Sequence, residues 1–190
     1  HQLTSDRPQL IWLVGKSYEA CVPEFKVMWE QLVKFGQLTK EQVHFPDLGR
    51  EHSWFETSTG LTVSTHTGDD PTKIARDAPD AVIGCEVAQW DVELWRRAIS
   101  RLAEKRGRMW ASGSFEGSLG WLPDVWRRWM VANPDGGRAF SIPSWKNIHL
   151  FNGPDDPILV TMRALMPKHR YLERFGAEPC VPSGAVYAES

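Results

Sequence analysis

Apolar and polar positions along the chain switch between a two-residue and a 3.6-residue period. Leu10-Ile11-Trp12-Leu13-Val14 is an unbroken apolar run, the mark of a strand buried on both faces. A Gly15-Lys16-Ser17-Tyr18-Glu19 turn follows, and Pro23 with Glu24 occupies favoured first-turn positions of a helix. Phe25, Met28, Trp29, Leu32 and Val33 then recur at helical spacing until Gly36 stops the stripe. Residues 37–57 are polar with no clear period, so a long excursion or a small hairpin is expected. Leu61 to Thr65 is a β-branched strand, and Asp69-Asp70-Pro71 opens a short helix carrying Lys73 and Arg76 before the Pro79-Asp80 break. Ala81 to Cys85 is a third apolar strand ending in Glu86. Asp91 caps a helix whose Val92, Trp95, Ile99 and Leu102 share one face, with Arg101, Lys105 and Arg106 near its end and Gly107 closing it.

Arg108 to Ser112 forms strand four, closed by Gly113 and Ser114. A helix from about Leu122 carries Val125, Trp126, Trp129 and Met130 and stops at Asn133-Pro134-Asp135-Gly136-Gly137. Ala139 to Ile142 reads as a fifth strand, Asp156-Pro157 starts a helix with Ile158, Met162 and Leu165, and a shorter helix runs to Phe175. Short apolar strands alternating with amphipathic helices predict βαβ units and a mostly parallel sheet covered on both faces. Ligands of such sheets bind beyond the carboxyl ends of the strands. The segments to inspect are therefore 15–18, 65–68, 85–89 and 112–117.

Composition narrows the picture. With 190 residues, 42% hydrophobic and 24% charged, the chain suits one globular domain and excludes disorder or a collagen-like architecture. No run approaches the roughly 18 apolar residues of a membrane span. Net charge of -2 argues against a polybasic nucleic-acid or membrane coat. Cys21, Cys85 and Cys180 are far apart, without a CxxC pair, and the His residues are scattered, so no disulfide framework or zinc site is expected. The polar start at His1, without Met, predicts a processed chain or a fragment. Most of the ten Trp sit at helical spacing and read as core.

Three strand tips carry candidate chemistry. Gly15-Lys16-Ser17 mimics the end of a phosphate-binding loop, but GxxxxGK[ST] needs a Gly where Leu10 stands, so an ordinary turn is favoured. Glu86 ends an apolar strand and precedes a helix, the place from which a carboxylate orients or deprotonates an attacking water in nucleotide hydrolysis. The bland alternative is a Glu that merely caps a turn. Cys85 stands where an Asp would hold Mg²⁺, and its soft thiol is a poor ligand for that ion, so Cys85→Asp is expected to strengthen Mg²⁺ binding. Ser112-Gly113-Ser114 offers hydroxyls on a turn able to sense a γ-phosphate.

In this order the segments resemble the ATPase domain of the large terminase subunit of tailed bacteriophages, the motor that packages DNA into proheads. Leu10 to Glu24 is similar to the segment following the phosphate loop in that family. Ala81 to Gln89 (AVIGCEVAQ) resembles its Walker B strand, and Met109 to Gly117 (MWASGSFEG) its coupling motif. Ser141 to Asn147 (SIPSWKN) and Glu173 to Glu189 resemble the end of the domain and the linker towards a nuclease domain. The resemblance implies a three-layer αβα fold of the additional-strand, RecA-like P-loop NTPase type. Residues 1–175 would be the ATPase segment after the phosphate loop and 176–190 the linker, the chain being truncated at both ends.

It further implies Glu86 as the catalytic carboxylate, Cys85 and Gln89 near nucleotide and Mg²⁺, and Ser112, Gly113, Ser114 and Gly117 as the coupling turn. Mg²⁺ and ATP would be the cofactors, neither held tightly by this chain alone. Double-stranded DNA, the portal ring, the small terminase subunit and copies of the chain in a ring would be the partners, with no membrane. The location would be the host cytoplasm and, transiently, the prohead portal. A second reading is a non-catalytic remnant of the same fold that binds DNA or protein through Arg127 and Arg128, which lie between Trp126 and Trp129; a solvated helix edge explains the same residues. An unrelated α/β hydrolase or transferase is disfavoured because GxSxG is absent.

Overall fold

The N-terminal apolar run becomes β1 (Gln9–Gly15), paired in parallel with β4 (Leu61–Thr67) on one side and β5 (Ala81–Gly84) on the other. The structure is a computed structural model that describes residues 8–39, 42–45, 51–69, 74, 77–115, 120–131 and 136–180. Beyond β5 lies β6 (Arg108–Ala111), again parallel. Beyond β4 lie β3 (Trp54–Glu56) and β2 (Val43–His44), each antiparallel to its neighbour, so the six-stranded order is β2-β3-β4-β1-β5-β6. Within the stretch 37–57, β2 and β3 thus add a small antiparallel pair to the sheet.

The chain divides into two compact units, His1–Gly113 and Ser114–Ser190. The first holds the sheet, with α1 (Val22–Lys34) and α2 (Val92–Ala103). Pro23 lies in the first turn of α1, and the helix ends in a Schellman motif: the Gly36 N–H donates to Val33 and the Gln37 N–H to Leu32, at 3.0 and 2.9 Å. Gly36 adopts φ +68°, which its missing Cβ permits. Asp91 caps α2 by accepting the Leu94 N–H at 2.7 Å. Leu13, Cys21, Phe25, Phe55, Val63 and Cys85 form one buried cluster against α1. On the opposite face a Cβ added to Gly84 would meet Trp90 at 3.0 Å, and one added to Gly68 would strike Leu94, so these glycines let α2 and its approach lie close to the sheet. Each large apolar side chain buried this way contributes about 1.5–3 kcal/mol.

The second unit contains α3 (Trp121–Val131), α4 (Pro157–Leu165) and α5 (Lys168–Phe175). Asp156 caps α4 by accepting the Ile158 N–H at 2.9 Å, as the Asp-Pro start predicts. The fifth strand predicted at 139–142 does not form. Phe140 and Ile142 are 78% and 73% exposed, Pro143 follows, and no strand of the sheet pairs with them. Ser141 instead donates its hydroxyl to the Ala177 carbonyl at 2.7 Å. In α4 the buried residue is Leu159, while Ile158 and Leu165 face outward. The helix expected across Lys73 and Arg76 lies outside the described residues apart from Asp69, buried Ile74, and Asp77 and Ala78, which are not helical.

Candidate functional site

The carboxyl ends of β1, β5 and β6 lie side by side, since Val14 pairs with Gly84 and Gly84 with Ala111. At the tip of β5 the chain turns sharply. Glu86 is exposed and adopts φ 48° and ψ 53°, a left-handed conformation uncommon outside glycine. A single 3-10 turn, Val87–Gln89, follows, in which the Gln89 N–H donates to the Glu86 carbonyl at 2.9 Å. The Ser112 carbonyl at the end of β6 accepts the Val87 N–H at 2.9 Å, and the Ser112 N–H donates back to Gly84 at 3.0 Å. The Ser112 hydroxyl adds a longer bond to the Gly84 carbonyl at 3.4 Å. Backbone bonds therefore join Glu86 and the Ser112-Gly113 turn into one edge.

Cys85 takes the other direction. It is 0% exposed, packed with Leu13, Cys21 and Phe25 on the α1 face. The neighbouring Cys21 thiol, burial and Glu24 together push the Cys85 thiol up, so it stays protonated. Gln89 is exposed in the turn after Glu86. Ser114 begins the second unit, and Gly117 lies outside the described residues. Arg127 and Arg128 are exposed on α3, where the Arg127 guanidinium pairs with Asp124 at 3.0 Å; Trp126 meets Phe115 edge-on at 5.5 Å.

The tip of β1 closes on itself. The Lys16 carbonyl accepts the Thr67 hydroxyl at 2.9 Å, the Gly15 carbonyl accepts the Gly68 N–H at 2.9 Å, and the Cys21 N–H bonds Tyr18 at 3.0 Å. Beside it, His66 lies 4.4 Å from the Trp12 ring and shares a 3.0 Å hydrogen bond with the Ser64 hydroxyl. Burial, then the nearby His52, lowers the His66 pKa to about 4, so its ring is neutral near pH 7.

No protein-family model matches the chain, and no curated protein matches it either. Solved structures do. The ATPase domain of the large terminase of Thermus phage P74-26 aligns with a TM-score of 0.69 over 94% of this chain and 79% of its own, at 15% identity. The large terminase of the thermophilic bacteriophage D6E, solved with ADP, aligns at 0.67 over 92% of this chain and 41% of its own, at 13% identity. The fold is that of phage large-terminase ATPase domains. The mostly parallel sheet flanked by helices, expected from the order of short segments, stands on that match.

On this terminase-type fold the structure brings Glu86, Gln89, Ser112 and Gly113 to one edge, and it puts the Cys85 side chain inside the core. Sequence reasoning missed Trp90. Its indole N–H donates to the Cys85 carbonyl at 3.2 Å, in a buried position directly before α2. A Trp six residues past the end of β5, among ten in the chain, reads as core packing, and only the turn geometry reveals its polar role. Glu24, read as a helix-opening acid, also helps to raise the Cys85 thiol pKa.

Proposed function

We propose that the chain is the ATPase segment of a terminase-type motor that drives double-stranded DNA into a prohead, with residues 1–175 as that segment and 176–190 as a linker. The observation that carries this is Glu86: an exposed carboxylate in a left-handed turn at a parallel-strand tip, tied by backbone to the coupling turn of β6, on a terminase-type fold. The D6E terminase holds ADP, which supports a nucleotide as the ligand of this edge.

The residues present do not by themselves make an Mg-ATP site. Mg²⁺ requires hard oxygen ligands, and the buried Cys85 thiol is neither hard nor accessible. The 190 residues contain no GxxxxGK[ST], so in this reading the cradle for the phosphates is supplied by residues outside them. Of the two outer strands, β2 and β6, only β6 adjoins β5. The β1 side of β5 is taken, whereas β6 is the outer strand, with Arg108, Trp110 and Ala111 exposed. A phosphate-binding turn set beside β6 would face Ser112, Gly113 and Glu86. The part supplied by this chain is then the proton acceptor: Glu86 orients a water and takes its proton, and the Ser112-Gly113 turn reads the change that follows. DNA, the portal ring, the small terminase subunit and further copies of the chain are the partners of this reading, in the host cytoplasm and at the portal.

The test is reconstitution. The chain alone should bind ATP weakly or not at all by calorimetry. Joined to a segment bearing the loop, it should hydrolyse ATP in a DNA-stimulated manner. Micromolar Mg-ATP affinity of the unaided chain would contradict the reading of Gly15-Lys16-Ser17 as a plain turn. A non-catalytic binding module on the same fold is the second reading. Cys85 in the core favours it, and DNA binding lost on changing Arg127 and Arg128, without any reconstituted hydrolysis, would select it.

A further inference from the structure

Hydrogen bonds hold the chain on both sides of Glu86. The Cys85 N–H donates to Val14 at 2.8 Å, and the Cys85 carbonyl accepts the Trp90 indole at 3.2 Å. The Glu86 carbonyl accepts from Gln89, and the Val87 N–H is held by Ser112. Strand alternation would send the Glu86 side chain to the Gly84 face, where Trp90 already lies 3.0 Å from the place of a Gly84 Cβ. The left-handed turn re-aims the carboxylate to the open strand tip instead. For a residue with a Cβ that conformation is disfavoured about tenfold, so something must hold it.

We propose that Trp90 and Gly113 are positioning residues for Glu86, holding its backbone left-handed so that the carboxylate stays at the strand tip. Trp90 fixes the peptide before Glu86 through the Cys85 carbonyl. Gly113 acts on the peptide after it. A Cβ at position 113 would sit 3.2 Å from the Val87 nitrogen and 3.3 Å from that of Ala88. A Cβ there is tighter than an ordinary contact, so the turn has to give by a few tenths of an ångström, which loads the bond from Val87 to Ser112. The two residues act from different elements on opposite sides of one φ/ψ pair. The role in catalysis rests on the assignment of Glu86 above; the backbone claim does not.

The experiment is NMR on the 190-residue chain. The left-handed signature of Glu86 is read from its Cα shift and its amide-to-Hα coupling, and the Val87 amide from its exchange rate. In Trp90→Phe and Gly113→Ala the signature should collapse, with Val87 exchanging at least about tenfold faster in Gly113→Ala, while circular dichroism keeps the sheet. An unchanged signature in both variants overturns the proposal. Glu86→Gly should raise the folding constant about tenfold over Glu86→Ala, since only glycine is free of the penalty. The gain should shrink to under about threefold in the Trp90→Phe background. Equal stability of the Gly and Ala variants in the otherwise unaltered chain also overturns it, even if both positioning variants fail to fold. Normal turnover of a reconstituted Glu86→Gln enzyme would remove the catalytic assignment and leave these backbone results standing.

Discussion

The tips of β1 and β5 are neighbours in one sheet, and each turns into a 3-10 segment, yet they are built in opposite ways. The β1 tip has the sequence that looks functional, Gly15-Lys16-Ser17, and its carbonyls are bonded to β4 and the residue after it through Thr67 and Gly68. The β5 tip has an unremarkable sequence, and its one acid is held in a rare backbone conformation by groups from β6 and from the residue before α2. A motif announces itself through residue types. A site is made by what the neighbouring strand and turn do to the backbone.

The sharpest way to break this contrast is kinetic. In the reconstituted ATPase, Glu86→Gln keeps the side-chain shape and removes the proton acceptor. Turnover should fall about 100- to 10,000-fold with nucleotide binding retained, because that is the usual contribution of a general base. Single-turnover hydrolysis with a parallel binding titration measures both. Full turnover in the variant would make Glu86 a turn residue and erase the difference between the tips.

Next in size is Cys85→Asp. From the sequence, an Asp at this position is expected to gain Mg²⁺. With the side chain in the core beside Cys21 and Glu24, the new carboxylate would be buried near a like charge. Urea unfolding should show a loss of about 3–5 kcal/mol, the cost of an uncompensated buried charge, with no gain in Mg²⁺ affinity. Cys85→Ala should cost less. Tighter Mg²⁺ binding without destabilisation would put this side chain at the tip after all.

This residue also marks the limit of what was legible in the sequence. The parallel strands and α1, α2 and α3 could be read from apolar runs and from Asp91, Pro23 and Gly36, because burial and capping leave local traces. The place of Glu86 at a strand tip was equally readable. The face of Cys85 follows from its alternation with Ile83, but that α1 covers this face as far as the last residue of the strand was not readable, since that depends on long-range packing. The absent strand at 139–142 failed for a related reason: its apolar residues suit a strand, but pairing is a long-range property and no partner is provided.

Acid should separate the tips in the other sense. His66, beside the β1 tip, has its pKa lowered from 6.5 to about 4 by burial and then by His52. The folded chain therefore stays neutral there while the unfolded chain takes up a proton below about pH 6.5. Stability is full above that pH and declines as pH falls towards 4, by up to about 3 kcal/mol from this group. Chemical denaturation from pH 7 to 4 checks the sum, and His66→Phe should flatten the slope. Amide exchange should quicken around β1 and β4 before it does at β5 and β6. A pH profile unchanged by His66→Phe would show that the imidazole finds another place for its proton.

The smallest effect tests whether the β1 turn is as plain as its bonds suggest. Lys16 is exposed, and what the turn uses is its carbonyl, which any residue supplies. Lys16→Ala should therefore change stability by no more than about 0.5 kcal/mol, the range of ordinary surface substitutions. It should also leave hydrolysis by the reconstituted ATPase within about twofold, far from the 100-fold or more expected at Glu86. Thr67→Val is the matching control, because it removes the hydroxyl that holds the Lys16 carbonyl and keeps the side-chain shape. It should cost about 1–2 kcal/mol, since the same hydroxyl also accepts the Asp69 N–H at 3.2 Å and two hydrogen bonds are lost. The order Thr67 above Lys16 in stability, with neither touching turnover, is the signature of a turn whose chemistry is spent on folding. If Lys16→Ala instead abolishes turnover at unchanged stability, the lysine reaches a phosphate, and the β1 tip joins the β5 tip in the site.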